Sequence, residues 1–500
     1  MYTYQQFVRR FLLVSLHIEA ILGEVTIRQR RKKLEEMTQG NGLSDAYTAT
    51  LARLKVQNGN KSILGMKVLM WVLYSARPLM AEELCHAMGV ELGSTDLDHE
   101  NIPALRTLLA SSLGLVTVEA SSSTIRLVHF TLQEHLLSDS TIFHSSHSTI
   151  AEVCLTYLNF QCVMDLSPTV YFAPPTMPLL EYASFYWGEH TRKGMKENVK
   201  VLALRLLNKF DEHISAQLML WRQRKEHWAS TPHILPEKGA IGFTGLHGAA
   251  FLGIVEIFAA VLEMKEWDVN AMDSAWCTPL IWAVVRGHDE VVKMLLERDD
   301  VNHDLIKSRR NQTPLMWATV LGHEGVVKVF LEQEGNPDQA SPVYGRTALW
   351  YAAVFGKEGI VKMILKRRGI NPNQVPTGYS CTPLTIATRN KNEGVVQMLL
   401  ERQDVNPNIA ATDDGRTPLS DAAANGNEGI VKMLLDRNDI RIDIQDHKNQ
   451  TPLSFALAKG HDKIARMISE RAARMTVTAD PGSQESLASS AGDKEDFIAD

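Results

Sequence analysis

Several groups of histidine, cysteine and lysine side chains in this 500-residue sequence are of types that carry out chemistry in other proteins. His144, His147, Cys154 and Cys162 could together suggest zinc, but their spacing matches no structural zinc site. Residues 59–62, Gly-Asn-Lys-Ser, resemble the phosphate-binding loop only superficially. The full motif GxxxxGK[ST] does not occur in the sequence. GxSxG and HExxH motifs do not occur either. The sequence therefore predicts no catalytic residue, no metal site and no cofactor.

The composition is that of an ordinary globular chain. Hydrophobic residues make up 45% and charged residues 22%, and the formal net charge of −6 does not favour bulk attraction to nucleic acid or anionic lipid. The five cysteines are scattered, which is typical of a reducing compartment, so we expect the cytoplasm or the nucleus. The basic run 28–33 favours the solvated face of a helix. The apolar run 11–16 is far below the ~20 residues that span a bilayer, and no membrane segment is predicted.

A sevenfold repeat organises the second half of the sequence. Each copy begins with a threonine that is followed in most copies by Pro-Leu and then by alanine, and successive threonines are 34 or 35 residues apart. A second apolar-periodic segment and a polar turn complete the copy. The threonines are Thr244, Thr278, Thr313, Thr347, Thr382, Thr417 and Thr451. A constant period of this length predicts a solenoid built from small supersecondary units.

The period, the motif and the second segment together resemble the ankyrin repeat, and the resemblance covers about half of the chain. It implies two helices per copy, which must stack on neighbouring copies because one repeat cannot bury its own apolar face. Thr suits the N-cap of the first helix and Pro its first turn. Glycines such as Gly287 and Gly322 permit the tight turn between the two helices. Trp282, Trp317 and Tyr351 recur at one position and are predicted to pack between repeats.

In this architecture, binding residues are expected on the concave side, at loop tips and at the exposed end of each first helix. The two residues before each inter-helix turn are largely apolar in copies one to four and polar in copies five to seven, and an apolar patch predicts an interface. Aromatic residues and arginines at nearby loop tips are typical interface anchors. The predicted binding residues are Phe251, Leu252, Trp276, Val285, Arg286, Arg309, Arg310, Val320, Leu321, Tyr344, Val354, Phe355 and Tyr379. Either a protein partner or the N-terminal half of the same chain could cover them.

The first half of the chain contains the element order of a winged helix. Segments 63–75, 80–88 and 101–113 predict three helices, and segments 115–119 and 124–129 predict a hairpin. The third helix, the usual reader of the DNA groove, has one firm positive charge and is preceded by three acidic residues. Because phosphate binding depends on several Lys and Arg contacts, no nucleic acid is expected as a partner.

Residues from about 5 to 165 resemble the region behind the nucleotide-binding core of fungal NACHT–ankyrin proteins, which are NLR-like members of the STAND class of NTPases. The segments that carry this resemblance are 11–18, 34–37 and 62–140, and residues 178–190 resemble the helical connector that leads to the repeats in those proteins. The resemblance implies that a winged-helix histidine, here His129, can contact nucleotide phosphates. The phosphate-binding loop is missing, so the chain is expected to begin after that core. His129 is then expected to be a structural residue.

Together these features predict a mainly α protein, with a helical N-terminal half followed by an α-solenoid of about seven ankyrin repeats. The predicted domains are a helical remnant of a NACHT module at 1–60, a winged helix at 61–140, a helical connector at 141–235, ankyrin repeats at 236–474 and a disordered acidic tail at 475–500. Residues 476–500 hold six acidic side chains and one lysine, so the rest of the chain is nearly neutral. Recognition should therefore depend on shape and apolar contact.

Two functions follow from these predictions. The first is a non-enzymatic interaction protein, in which the ankyrin stack senses an unidentified protein partner. The resemblance implies a STAND-type signalling protein, with a role in fungal innate immunity or non-self recognition. The second is a C-terminal fragment of a NACHT NTPase whose ATP- or GTP-binding core lies upstream of Met1.

Overall fold

A computed structural model describes residues 25–38, 43–167, 172–227, 241–264, 267–302, 312–333, 336–377 and 381–478. The chain divides into two compact units, an N-terminal unit of residues 1–279 and a repeat unit of residues 280–500. The elements of the N-terminal unit are α1 (Ile27–Thr38), α2 (Leu43–Lys55), α3 (Asn60–Tyr74), α4 (Ala81–Gly89), α5 (Leu105–Ser111), β1 (Val116–Glu119), β2 (Thr124–Leu127), α6 (Phe130–Ser138), α7 (Ser146–Leu158), α8 (Gln161–Met164), α9 (Leu179–Lys193), α10 (Glu197–Asn208), α11 (Ile214–His227), α12 (Gly245–Leu252) and α13 (Val255–Met264).

The winged helix occupies the region around α3 to α6. Helix α3 buries Val68, Leu69 and Trp71, and β1 pairs with β2 as an antiparallel hairpin. The backbone N–H of Ile125 in β2 donates to the carbonyl of Leu79, so the segment before α4 lies along the free edge of β2. This arrangement matches the predicted order of three helices followed by a hairpin.

The third helix of the winged helix is shorter than predicted. The sequence pattern predicts a helix over 101–113, but the structure has a 3-10 turn at His99–Asn101 and then α5 from Leu105. Pro103 lies between them, and the residue before a proline is disfavoured in the helical conformation. The proline therefore breaks the segment into two pieces.

The predicted connector is a packed group of helices. Helix α7 packs against both α9 and α10, and α9 also packs against α11. Arg77, in the loop before α4, makes an ion pair with buried Glu83, and its guanidinium lies 5.3 Å from the centre of the Tyr182 ring in α9. A cation–π contact, made by a guanidinium that buried Glu83 holds in place, therefore connects the winged helix to the connector.

The first ankyrin repeat belongs to the N-terminal unit, because α10 and the 3-10 turn that follows it pack on α12 and α13. Later repeats have Pro or Ala where the first repeat has Gly245, and a methyl group there would lie 1.9 Å from the carbonyl oxygen of Leu207. Later repeats have a larger side chain where the first has Gly248, and a methyl group there would lie 2.7 Å from the Phe210 ring. The first repeat thus departs from the repeat pattern where the connector touches it.

The described residues of the repeat unit form six further helix pairs. Their helices are α14 (Pro279–Arg286), α15 (Asp289–Leu296), α16 (Pro314–Leu321), α17 (Glu324–Glu332), α18 (Ala348–Val354), α19 (Glu358–Leu365), α20 (Pro383–Arg389), α21 (Glu393–Leu400), α22 (Pro418–Ala424), α23 (Glu428–Leu435), α24 (Pro452–Ala458) and α25 (Asp462–Thr478). Helix α25 extends four residues into the predicted disordered tail, and residues 479–500 lie outside the described residues.

The helix starts follow the predicted chemistry. The hydroxyl of each N-cap threonine from Thr313 to Thr451 accepts a hydrogen bond from the backbone N–H three residues later, at 3.2–3.3 Å. In the first repeat, Thr244 makes a capping box with His247 instead, and burial lowers the pKa of that histidine to about 4. Trp282, Trp317 and Tyr351 are buried, as predicted for residues between stacked repeats.

A ladder of arginines joins successive repeats, and the sequence analysis did not anticipate it. Each arginine follows the second helix of its repeat, or lies within the longer α25 of the last repeat, and donates to a backbone carbonyl 34 to 37 residues earlier, near the end of the preceding second helix. The members are Arg367, Arg402, Arg437 and Arg471. Asp404 and Asp439 make ion pairs with Arg402 and Arg437, and these hydrogen bonds lower the pKa of both carboxyls. The arginine ladder therefore satisfies carbonyls that the helix ends leave without partners.

We expect Gly248→Phe to lower the free energy of unfolding of the N-terminal unit by about 1–3 kcal/mol, because the new ring would collide with Phe210. The matched control is Ile386→Phe, at the same position of the fifth repeat, where the side chain is half-buried and several repeats have an aromatic residue. The control should cost less than about 1 kcal/mol. Urea denaturation of the full chain measures both, and equal effects would contradict the contact.

We expect Arg437→Met to cost about 1–3 kcal/mol, because three carbonyls, those of Leu400, Arg402 and Val405, lose their donor. Arg441→Met is the control, since Arg441 is exposed and lies 3.7 Å from Asp443, so its loss should cost less than about 0.5 kcal/mol. Urea midpoints of the two variants compare them directly. A smaller effect at Arg437 than at Arg441 would show that the arginine ladder does not stabilise the stack.

Candidate protein-binding surface

The predicted binding residues at the ends of the first helices differ in exposure. We call Val320, Leu321, Val354 and Phe355, in repeats three and four, the helix-end surface. The side chain of Phe355 is 50% exposed, and the other three are half-buried. Val285 and Arg286, at the end of α14 in repeat two, are also half-buried.

A small buried cluster supports the helix-end surface from below. Met316, Trp350 and Tyr351 form this cluster, and Val320 and Val354 pack against it. The two valines therefore contribute to contact between repeats as well as to the surface. Phe355 follows the end of α18, and Gly356 takes a left-handed conformation that turns the chain away. This turn leaves the Phe355 ring as the exposed apolar part of the surface.

The two predicted residues of the first repeat are buried, which corrects the expectation that they form an exposed patch. Phe251 and Leu252 are 7% and 6% exposed. Helix α9 covers Leu252: a methyl group at Gly188 would lie 2.5 Å from a Leu252 methyl carbon, and Arg192 donates to the Leu252 carbonyl at 2.6 Å. In the first repeat, the occupant of the helix-end position is thus a helix of the same chain.

The helix-end positions of the fifth and later repeats are polar. Arg389 donates to Asp421 at 2.6 Å and also makes ion pairs with Asp413 and Asp414. These carboxylates raise the pKa of Arg389, and burial raises the pKa of Asp421. Asn390 donates to the carbonyl of Val354. Arg389 and Asn390 of the fifth repeat are therefore engaged in holding neighbouring repeats together.

The predicted loop-tip residues include two exposed aromatic side chains. Trp276 is 52% exposed and has φ +63°, a left-handed conformation that is uncommon for bulky residues. Tyr344 is also exposed, and the guanidinium of Arg346 lies 4.9 Å from the centre of its ring. The other predicted tip residues, Arg309, Arg310 and Tyr379, lie outside the described residues.

Lys391 is another non-glycine residue in the left-handed conformation, and the sequence pattern did not predict it as a site residue. Lys391 has φ +60° at the turn between α20 and α21 and is exposed. The other six repeats have glycine at the equivalent position, for example Gly356 and Gly426. The absence of glycine from this one copy was the available signal. A lysine held in a strained conformation beside the helix-end surface makes it a candidate contact residue.

The groups first considered for chemistry have other surroundings. His129 is the N-cap of α6: its Nδ1 accepts from the Thr131 backbone N–H at 3.3 Å, and its ring lies beside Phe130. Residues 59–62 begin α3, where the Ser62 hydroxyl donates to the carbonyl of Lys55. These contacts give His129 and Ser62 structural roles in the N-terminal unit.

The histidines and cysteines that suggested zinc lie in different surroundings. The Nδ1 of His147 lies 2.9 Å from the Nδ1 of His190, and burial lowers the pKa of both. Cys154 is fully buried within α7, and burial raises the pKa of the Cys162 thiol to about 11. Across the described part of the chain, no group of three or more His, Cys, Asp or Glu side chains is arranged so that it could hold a metal ion. Among the described helices, none combines the length and the hydropathy that a membrane span requires.

Comparison with known proteins identifies the class. Residues 229–304, 300–376, 336–410 and 384–479 match the family described as Ankyrin repeats (3 copies). These ranges cover half of the sequence, so the chain belongs to the ankyrin-repeat family, which supports a protein-interaction role. Residues 51–151 match the winged helix domain of GPI inositol-deacylase, a domain associated with the NACHT family.

Two curated relatives match parts of the chain. Azaphilone pigments biosynthesis cluster protein L of Monascus ruber is 25% identical over 261 residues, which are 46% of this chain and 54% of that protein. Human Ankyrin repeat domain-containing protein 7 is 34% identical over 82 residues, which are 16% of this chain and 31% of that protein. The matched part of the chain thus spans about half the length of the first relative and a third of the second.

Two solved ankyrin repeat domains are also similar to this chain. The domain of Bcl-3, a member of the IkappaB family, has 23% identity and a TM-score of 0.35, and the match covers 39% of this chain and 86% of that one. The domain of human ASB11 has 21% identity and a TM-score of 0.37, and the match covers 45% of this chain and 96% of that one.

We expect Trp276→Gly to raise the free energy of unfolding by about 0.5–1 kcal/mol, because glycine adopts the left-handed conformation without steric cost. Trp276→Ala is the control, since it removes the ring and keeps the strained backbone, so it should not stabilise the protein. Urea midpoints of the full chain distinguish the two. Stabilisation by alanine equal to that by glycine would mean that the ring, rather than the backbone, is unfavourable at this loop tip.

Proposed function

We propose that this chain is a non-enzymatic interaction protein whose ankyrin stack senses a protein partner through the helix-end surface, as part of a STAND-type signalling protein. One observation carries the proposal. In the first repeat, the helix-end position is covered by helix α9 of the same chain, whereas in the fourth repeat Phe355 at that position is 50% exposed. A position that accepts a helix in one repeat is suited to accept a partner helix in another.

The contact with α9 indicates what chemistry the partner needs. Gly188 lets α9 approach Leu252 closely, and Arg192 one turn later donates to a carbonyl at the helix end. We therefore propose an amphipathic helix with a small residue at the point of closest contact and an apolar side chain against Phe355. Lys391 and the exposed loop-tip residue Tyr344 are the proposed flanking contacts. The near neutrality of the repeats favours recognition by shape over recognition by charge.

The role in signalling rests on the order of domains. A NACHT-associated winged helix precedes the ankyrin repeats, and the connector packs on the first repeat. We propose that the N-terminal unit links partner binding at the repeats to a signalling module. All five cysteines are free thiols, which supports a reducing compartment such as the cytoplasm or nucleus.

The second candidate is the C-terminal part of a NACHT NTPase whose nucleotide-binding core is encoded upstream. The winged helix match favours it, since that domain type is associated with the NACHT family. Reading the coding region upstream of Met1 separates the two candidates, because an in-frame phosphate-binding loop would favour the second. Magnesium-dependent nucleotide hydrolysis by this polypeptide alone would contradict the proposed non-enzymatic role.

We expect Leu321→Asp and Phe355→Asp each to remove the proteins captured by proximity labelling with the full chain, because a carboxylate would be buried against an apolar partner. The control is Val201→Asp, which places the same charge at an equally exposed apolar residue of α10. Circular dichroism confirms that the stack remains folded. Capture that is unchanged in both aspartate variants would refute the proposed surface.

By contrast, Leu349→Ala should destabilise the repeats by about 2–5 kcal/mol, because it leaves a cavity in the buried core.

A further inference from the structure

The last repeat exposes an apolar side chain at a position where the side chain is buried in each of the first six repeats. Six residues after the capping threonine, the first six repeats have alanine, valine or threonine, and none of these side chains is exposed. The seventh repeat has Leu457 at this position, and its side chain is 59% exposed. In a repeat stack, the outer face of a terminal repeat is expected to be polar. Here the largest apolar residue of the series lies at the one position that no following repeat covers.

Leu457 lines a shallow groove that is open to solvent. Leu453, one turn earlier in α24, lines the groove together with Ala465 and Ser469 of α25, and the volume is about 410 Å³. Asp462, Arg466 and Glu470 of α25 form its charged edge. The face thus combines an apolar floor with a row of alternating charges.

The charged row of α25 is complementary to itself. Residues four apart on a helix lie on the same side, so Arg466 and Glu470 are neighbours along one edge of the groove. When a second α25 lies antiparallel to the first, its Glu470 faces Arg466 and its Arg466 faces Glu470. The next positions along the row, Asp462 and Arg474, face each other in the same way. A twofold interface contains each such pair twice.

We propose that the end face of the last repeat, formed by Leu453, Leu457 and the charged edge of α25, binds the same face of a second copy of this chain. The result is a symmetric dimer in which Leu457 of each copy is buried and Arg466 pairs with Glu470 of the partner. The outer face of the first repeat does not offer a head-to-tail contact, because the chain's own connector covers it at Gly245 and Gly248. This inference does not depend on the proposed partner surface.

The experiment is analytical ultracentrifugation of the full chain over a concentration series. We expect a reversible dimer whose dissociation constant rises by more than about tenfold in Leu457→Asp, because the carboxylate would be buried twice per dimer. Val343→Asp, at an equally exposed apolar loop residue, is the control and should leave the constant unchanged. Circular dichroism confirms that each variant is folded.

A charge exchange tests the geometry of the pair. Arg466→Glu and Glu470→Arg should each weaken the dimer more than about tenfold, since each places like charges together, and the double variant should restore it to within about threefold of the original. A full chain that is monomeric at all concentrations would overturn the proposal. So would a dimer that tolerates Leu457→Asp, or a double variant that is no better than the single ones. Dimerisation that appears only after removal of residues 479–500 would show that this segment, rather than a second copy, occupies the face.

Discussion

The structure depends on one constraint: a single ankyrin repeat cannot bury its own apolar surface, so each apolar face of a repeat needs a neighbour. Inside the stack, the neighbour is another repeat, and position by position the same small side chains are buried. At the first repeat, the neighbour is the connector. Phe210 fills the space that Gly248 leaves, in the place where later repeats supply their own larger side chain. The winged helix, the connector and the first repeat therefore form one folded unit.

Stacking apolar faces brings helix ends together, and those ends carry backbone groups that need partners. The arginine ladder meets this need from one repeat to the next, because the planar guanidinium can reach several carbonyls at once. Arg437 is the clearest example: it donates to three carbonyls of the preceding repeat and is oriented by Asp439 of its own repeat. The same repeat period thus provides both the apolar stacking and the hydrogen-bond donors for the backbone carbonyls at the helix ends.

The repeats and the helix pairs could be predicted from sequence because their signals are local: a capping threonine, a proline in the first turn and a fixed period. The burial of Phe251 and Leu252 could not be read in this way, since it depends on α9, some sixty residues earlier. A signal was present in the glycines of the first repeat, which break the pattern of the later copies. The arginine ladder was visible as a recurring residue, but its carbonyl acceptors lie one repeat away. The short α5 shows that one proline can override an apolar period.

Native-state hydrogen exchange of the full chain tests the central claim, that the connector serves as the missing neighbour of the first repeat. The amides of α10, α12 and α13 should exchange together, with one shared free energy of opening, because none of these helices keeps its buried face without the others. A connector that loses protection while α12 and α13 remain protected would contradict this account. The first repeat would then be stable without the neighbour that its glycines are fitted to receive.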